Sequence, residues 1–159
     1  MLLEQLRLKP GHLIRRAQQI AVAVFMEECG RFDITPLQYA ALTAIGQQPD
    51  IDATRLAQLI ALDRSNIGSV LERLEAKSLL LRSASAEDRR IKLLRLSSSG
   101  RALLRKVDLA VEHAQDRILA PLKPGERKTF MRLLTLLVES NNALSRAPAG
   151  LVGRPDSAA

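Results

Sequence analysis

The run "ATRLAQLIALDRSNIGSVLERLEAKS", from Ala53 to Ser78, restricts what this chain can become more than any other part of it. Its apolar residues recur at three- and four-residue steps, the period of a helix with one buried face. The run reads as two short helices, with "ALD" as the turn between them. The first is expected from about Ala53 to Ile60, burying Leu56, Leu59 and Ile60. The second is expected from Arg64 to about Lys77, with Asp63 as its cap. Its inward stripe is Ile67, Val70, Leu71 and Leu74, which leaves Ser65, Asn66, Ser69, Glu72, Arg73 and Ala76 outside. Two helices in tight succession, the second with short hydrogen-bonding side chains on its outer face, form a helix-turn-helix.

A ribbon follows at once. Leu79 to Ser83 and Ile91 to Leu96 read as strands around a tip at Ala86 to Arg90, which carries Asp88, Arg89 and Arg90. A hairpin directly after the second helix reads as a wing; a merely solvated tip is the plainer alternative. Helices are expected on both sides: His12 to Glu28, closed by Gly30; Thr35-Pro36 to Gln47; Ser99 to Leu119; and Gly125 to Ser145. "QQPDID" reads as a turn, and "APAGLVGRPDSAA" as a disordered tail. The fold class is therefore mainly α with a small β-wing, a winged helix-turn-helix framed by N- and C-terminal helices.

Composition narrows the partners. The 159 residues carry a net charge of +7, which favours polyanions. Aromatic residues make up 3%, too few for the stacking that usually holds single strands, so duplex DNA fits better. The two histidines, His12 and His113, have no metal-ligand spacing, and there is no phosphate-binding or nucleophile motif. An enzyme, a metal and a cofactor are not expected. No stretch approaches the roughly 20 apolar residues of a membrane span. The N-terminus does not resemble a signal peptide, so a cytoplasmic protein is expected. Cys29 is the single cysteine, read as a structural thiol rather than a redox sensor.

The run "LAQLIALDRSNIGSVLERLEAKSLLLRSASAEDRRIKLLRLSSSGRALL" resembles the MarR family of multiple-antibiotic-resistance regulators. It is similar to that family's helix-turn-helix, its "L-E-x-x-G-L" helix end (here Leu74 to Leu79), its "D-x-R" wing tip (Asp88, Arg89, Arg90) and its "L-T-x-x-G" helix start (Leu96 to Gly100). Ser78 stands in place of the usual glycine and Ser97 in place of threonine. A left-handed backbone at Ser78 would be strained. The resemblance implies a homodimer on a pseudopalindromic duplex, often released by a small acidic ligand. Residues 11–34 and 99–146 would form the dimerisation region, 35–98 the DNA-binding region and 147–159 the tail.

On this reading Arg90 and Arg89 enter the minor groove, whose negative potential attracts arginine, and Asp88 pairs with an arginine to direct it. Arg64, Ser65, Asn66, Ser69 and Arg73 are the candidate major-groove residues, with phosphate contact or plain exposure as alternatives for each. His12, Arg15, Arg16, Gln19 and Tyr39 are candidates for an anionic ligand; a solvated helix edge and a core tyrosine are the alternatives. The expected function is a repressor released by an aromatic carboxylate or its coenzyme A thioester. The rivals are an architectural DNA binder without effector and a winged-helix interaction module.

Overall fold

A computed structural model describes residues 3–150. A short α1 (Leu3–Arg7) precedes α2 (Pro10–Cys29), which starts two residues before the expected His12. Pro10 at the first helical position is the local reason: its fixed φ suits a helix start and its missing N–H costs nothing there. Gly30 does not close α2 with a left-handed residue. It is right-handed and opens a 3₁₀ turn, Gly30–Phe32, and the left-handed residue is Asp33, at φ 52°. Then α3 (Pro36–Gln47) begins in a full capping box, Thr35 and Gln38 each bonding the other's backbone N–H. The helix-turn-helix follows as α4 (Ala53–Leu59) and α5 (Arg64–Ala76).

The ribbon forms as β2 (Leu80–Ala84) and β3 (Lys92–Leu96), antiparallel, with Leu80 opposite Leu96 and Ala84 opposite Lys92. "QQPDID" is more than a turn. Ile51–Asp52 forms β1, on the other side of β3, giving the order β1-β3-β2. Asp50 aims it: at φ 68° it turns the chain, donates its N–H to the Leu94 carbonyl, and pairs its carboxylate with Arg95. The wing is thereby stitched to the start of α4.

The remainder is α6 (Ser98–Leu119) and α7 (Pro124–Ser140), then a 3₁₀ turn at Asn142–Leu144 where the last helix was expected to continue. The lobe's core gathers Leu42 and Ile45 of α3, Leu56 of α4, Leu71 and Leu74 of α5, and Leu80 and Leu94 of the sheet, each at most 2% exposed. Ile67 and Val70 join them, so the whole predicted inner stripe of α5 is buried. Packed along α6, α2 is also tied to it where Arg117 bonds both Glu27 and Glu28.

The junction of α5, wing and α6 explains the similarity to the "L-E-x-x-G-L" and "L-T-x-x-G" pieces. α5 ends in a Schellman pattern: Leu79 N–H donates to Leu74 and Ser78 N–H to Glu75. The left-handed residue it requires is Ser78, at φ 56°, so the expected strain is present. The Ser97 hydroxyl donates to the Ser78 carbonyl at 2.6 Å and accepts from the Gly100 N–H. A Cβ on Gly100 would lie 2.1 Å from the Leu79 carbonyl oxygen, so only glycine allows this approach.

Residues 147–150, expected to be disordered, pack on α4. Asn142 exchanges two hydrogen bonds with Ala149, and Gly150 N–H donates to the Gln58 carbonyl at 2.7 Å. These bonds satisfy a backbone that would otherwise need water. Residues 151–159 of the predicted tail lie outside the described residues.

Candidate nucleic-acid interface

α5 begins at a cap that Asp63 builds with one oxygen, accepting from the Ser65 N–H at 2.9 Å and the Ser65 hydroxyl at 2.8 Å. Those two bonds favour the ionised carboxylate and hold the Asp63 pKa below its usual range. They also occupy the Ser65 proton. The Ser69 hydroxyl likewise donates to the Asn66 carbonyl, 3.1 Å away. Both serines therefore offer an incoming base mainly acceptor lone pairs. Asn66, Arg64 and Arg73 are exposed on the same helix, and their side chains bond no described residue. Asn66 keeps the donor and acceptor that suit adenine, and the two arginines keep the fork that suits guanine or phosphate.

At the wing tip the backbone closes through Ser85 N–H to Ile91 and Ile91 N–H to Asp88. Asp88 accepts from the Arg90 N–H at 2.9 Å and from Arg90 Nε at 3.2 Å, using one carboxylate oxygen. The expected pairing of Asp88 with an arginine is present, as a single Nε contact rather than a bidentate one. The terminal nitrogens of Arg90 stay free, and its side chain is 93% exposed. Arg89 is exposed beside it without an ion pair among the described residues. Two further pairs steady the wing and were not singled out from sequence. Arg82 Nε meets Glu75 of α5 at 3.0 Å, and Arg95 meets Asp50. No local signal marks either, because the partners are brought together only by the fold.

The ligand candidates are divided. Tyr39 packs against Phe25, with ring centroids 6.1 Å apart, and burial raises its pKa, so the phenol stays a neutral hydrogen-bonding group. It lines a cleft of about 300 Å³ with Thr43, Leu96, Arg101, Leu104 and Arg105, and a second of about 320 Å³ with Ala44, Leu59 and Ile60. The Thr43 hydroxyl, in both clefts, is buried against the Tyr39 phenol, outside full hydrogen-bond geometry yet close enough to temper the rise of the phenol's pKa. His12, Arg15, Arg16 and Gln19 line neither cleft. They lie on α2, where Arg16 bonds Gln19 at 3.2 Å on an exposed surface. Within one chain the expected pocket is thus not assembled: Tyr39 stands apart from the other four. Sequence reasoning missed Thr43, Arg101 and Arg105, although two arginines four residues apart on one helix face were a legible signal.

Cys29 is fully buried, and burial pushes its thiol pKa up, as suits a structural thiol. Among the described residues no three His, Cys, Asp or Glu side chains could hold a metal together, and no helix is long and apolar enough to cross a membrane.

Comparison with known proteins agrees with this geometry. The MarR family model matches residues 34–92, which hold the capped α3, the helix-turn-helix and the wing tip. A putative transcriptional regulatory protein for the hcr operon of Thauera aromatica is 31% identical over 142 residues, 89% of this chain and 84% of that protein. The structure of Bordetella bronchiseptica BpsR, whose DNA binding is regulated by 6-hydroxynicotinic acid, is 31% identical with a TM-score of 0.79. That likeness covers 84% of this chain and 95% of BpsR. The repressor CouR, solved on a 23-mer DNA duplex, is 26% identical with a TM-score of 0.80, over 87% of this chain and 98% of CouR. These relatives are transcriptional regulators, not enzymes, and by sequence and fold together the chain belongs to the MarR family.

Proposed function

We propose that the protein is a homodimeric repressor that binds a pseudopalindromic duplex and is released by a small aromatic acid. The observation that carries the DNA-binding part is the Arg90 guanidinium, aimed by Asp88 and almost fully exposed beside a recognition helix whose outer face carries Arg64 and Arg73 together with Glu72. Arg90 and Arg89 would enter the minor groove while Asn66, Arg64 and Arg73 meet the major groove, Ser65 and Ser69 contributing as acceptors. CouR, similar over most of the chain, is known on duplex DNA.

The dimer is supported by α7. None of its residues is buried, and Leu133, Leu134, Leu136, Leu137 and Val138 are all exposed. Leu13, Ile14 and Ile20 of α2 are exposed as well. A patch of this size is unusual on a monomer, and a second copy would cover it. On this proposal residues 35–98 meet DNA, and 11–34 with most of 99–146 form the dimer.

The effector reading is supported by the clefts at Tyr39. About 300 Å³ is at the lower bound for small-molecule sites. Leu96 and Leu104 would wall an aromatic ring, and Arg101 or Arg105, with Asp108 beside them, would meet a carboxylate. BpsR responds to an acid of this type. His12, Arg15, Arg16 and Gln19 could complete such a site only from a partner's α2. Nothing in the clefts calls for the larger thioester.

Selection of duplexes from a random pool, then titration of the selected duplex, tests the reading. A site with two inverted half-sites one helical turn apart, bound tightly against unrelated competitor, is expected. Indifference to competitor would favour an architectural binder, and absence of salt-dependent binding an interaction module. Calorimetry with hydroxylated aromatic acids and their thioesters, on the parent and on Arg101→Ala and Arg16→Ala, then shows which arginine anchors a ligand.

A further inference from the structure

The segment after α7 crosses back onto the helix-turn-helix. Asn142 folds it through its two bonds to Ala149, and Gly150 is fastened to the Gln58 carbonyl of α4, with its Cα hydrogens facing Gln58 and Arg55. Arg146, Ala147 and Pro148 then wall a cleft of about 410 Å³ whose other side includes Gln58, Asp63 and Arg64. The segment therefore sets Arg146 at the start of α5. In helix-turn-helix proteins this end of the recognition helix meets the bases, while the first helix crosses the phosphate backbone. Arg146 is exposed there, in reach of the Asp63 field, and makes no ion pair with a described residue. Asp63 is already engaged by Ser65. Arg64, exposed on the first turn of α5, lines the same cleft, and Arg55 of α4, also exposed, lies beside Gly150.

We propose that residues 142–150 extend the DNA-binding surface, and that Arg146 contacts a backbone phosphate beside the first turn of the recognition helix. This rests on the DNA-binding reading above. The contact would add affinity without sequence preference, because phosphates are alike at every step. It would also make the segment after α7 part of the reading head, although Arg146 lies 56 residues beyond Arg90 of the wing tip in sequence (146 minus 90).

The test is fluorescence anisotropy of the full-length protein on a mixed-sequence duplex over a range of salt, for the parent, Arg146→Ala, Arg146→Lys and Lys128→Ala. Lys128 lies at the other end of α7 and controls for loss of one charge. A lost phosphate contact lowers the slope of log affinity against log salt by about 1. The expected result is that reduction for Arg146→Ala, a slope near the parent's for Arg146→Lys, and no change for Lys128→Ala. If the parent binds and Arg146→Ala keeps its slope, the proposal is overturned while DNA binding stands. Equal reductions in Arg146→Ala and Lys128→Ala overturn it too, since net charge would then explain both. A parent that binds no duplex at low salt overturns both readings together.

Discussion

Ser78 shows how one residue can be placed by a pattern and still be uncomfortable. The Schellman end of α5 requires a left-handed residue, and serine occupies it at φ 56°. The left-handed conformation costs an L-residue about 1–2 kcal/mol, while glycine adopts it freely at some cost in unfolded-state entropy. Ser78→Gly should therefore raise stability by about 1 kcal/mol, read as a higher urea midpoint with an unchanged slope. The bond from Ser97 falls on the Ser78 carbonyl and survives the change. Gly100→Ala should do the reverse. Its Cβ meets backbone rather than a yielding side chain, and displacing α6 from Leu79 is expected to cost roughly 3 kcal/mol. Thermal unfolding of the two variants should move in opposite directions. Asp63 adds a pH dependence. Its folded pKa is depressed, so its cap contributes fully above the unfolded carboxylate's pKa and is lost as pH falls through the folded one. Asp63→Asn, which can still cap, should flatten that acid limb of the stability curve.

At the scale of elements, what was legible in the sequence was local. The inner stripe of α5, its Asp63 cap and the Thr35-Pro36 start of α3 are written in residues at most four apart, and the wing strands in leucine-rich runs on either side of a charged tip. What was not legible depends on distant partners. β1 is two residues long, and only Leu94 and Leu93 of β3 make it a strand. Gly30 has the composition of a helix end, but the chain turns at Asp33, where Lys77, the residue that caps the end of α5, pairs with the aspartate. The ligand candidates on α2 were legible as residue types and not as a site, because one chain does not bring them to Tyr39. The wing carries the prediction at this scale. Arg90→Ala should weaken binding of the selected duplex strongly and lower the salt slope, with little effect on unfolding. Asp88→Ala keeps the charge of Arg90 but removes both its Nε partner and the bond to its N–H, so it should retain the slope and lose part of the affinity. Asn66→Ala should relax preference at particular base pairs by about 1–3 kcal/mol, without changing the slope.

For the whole molecule, the absence of any buried residue in α7 has a consequence for dosage. A helix that buries nothing in its own chain has little to hold it there, because most helical stability in proteins comes from packing an apolar face. If a second copy covers it, its folding and the meeting of two chains are one event. Thermal unfolding temperature should then rise with protein concentration, by mass action, and sedimentation at micromolar concentration should show twice 17.5 kDa. A concentration-independent midpoint at 17.5 kDa would sink the dimer and the palindromic site with it. The cell would meet the same dependence as a threshold. At low abundance the folded pair, and with it promoter occupancy, grows as the square of the number of chains. Halving synthesis would cut occupancy about fourfold in that regime, so the gene's own expression level would act as a second input alongside any small molecule.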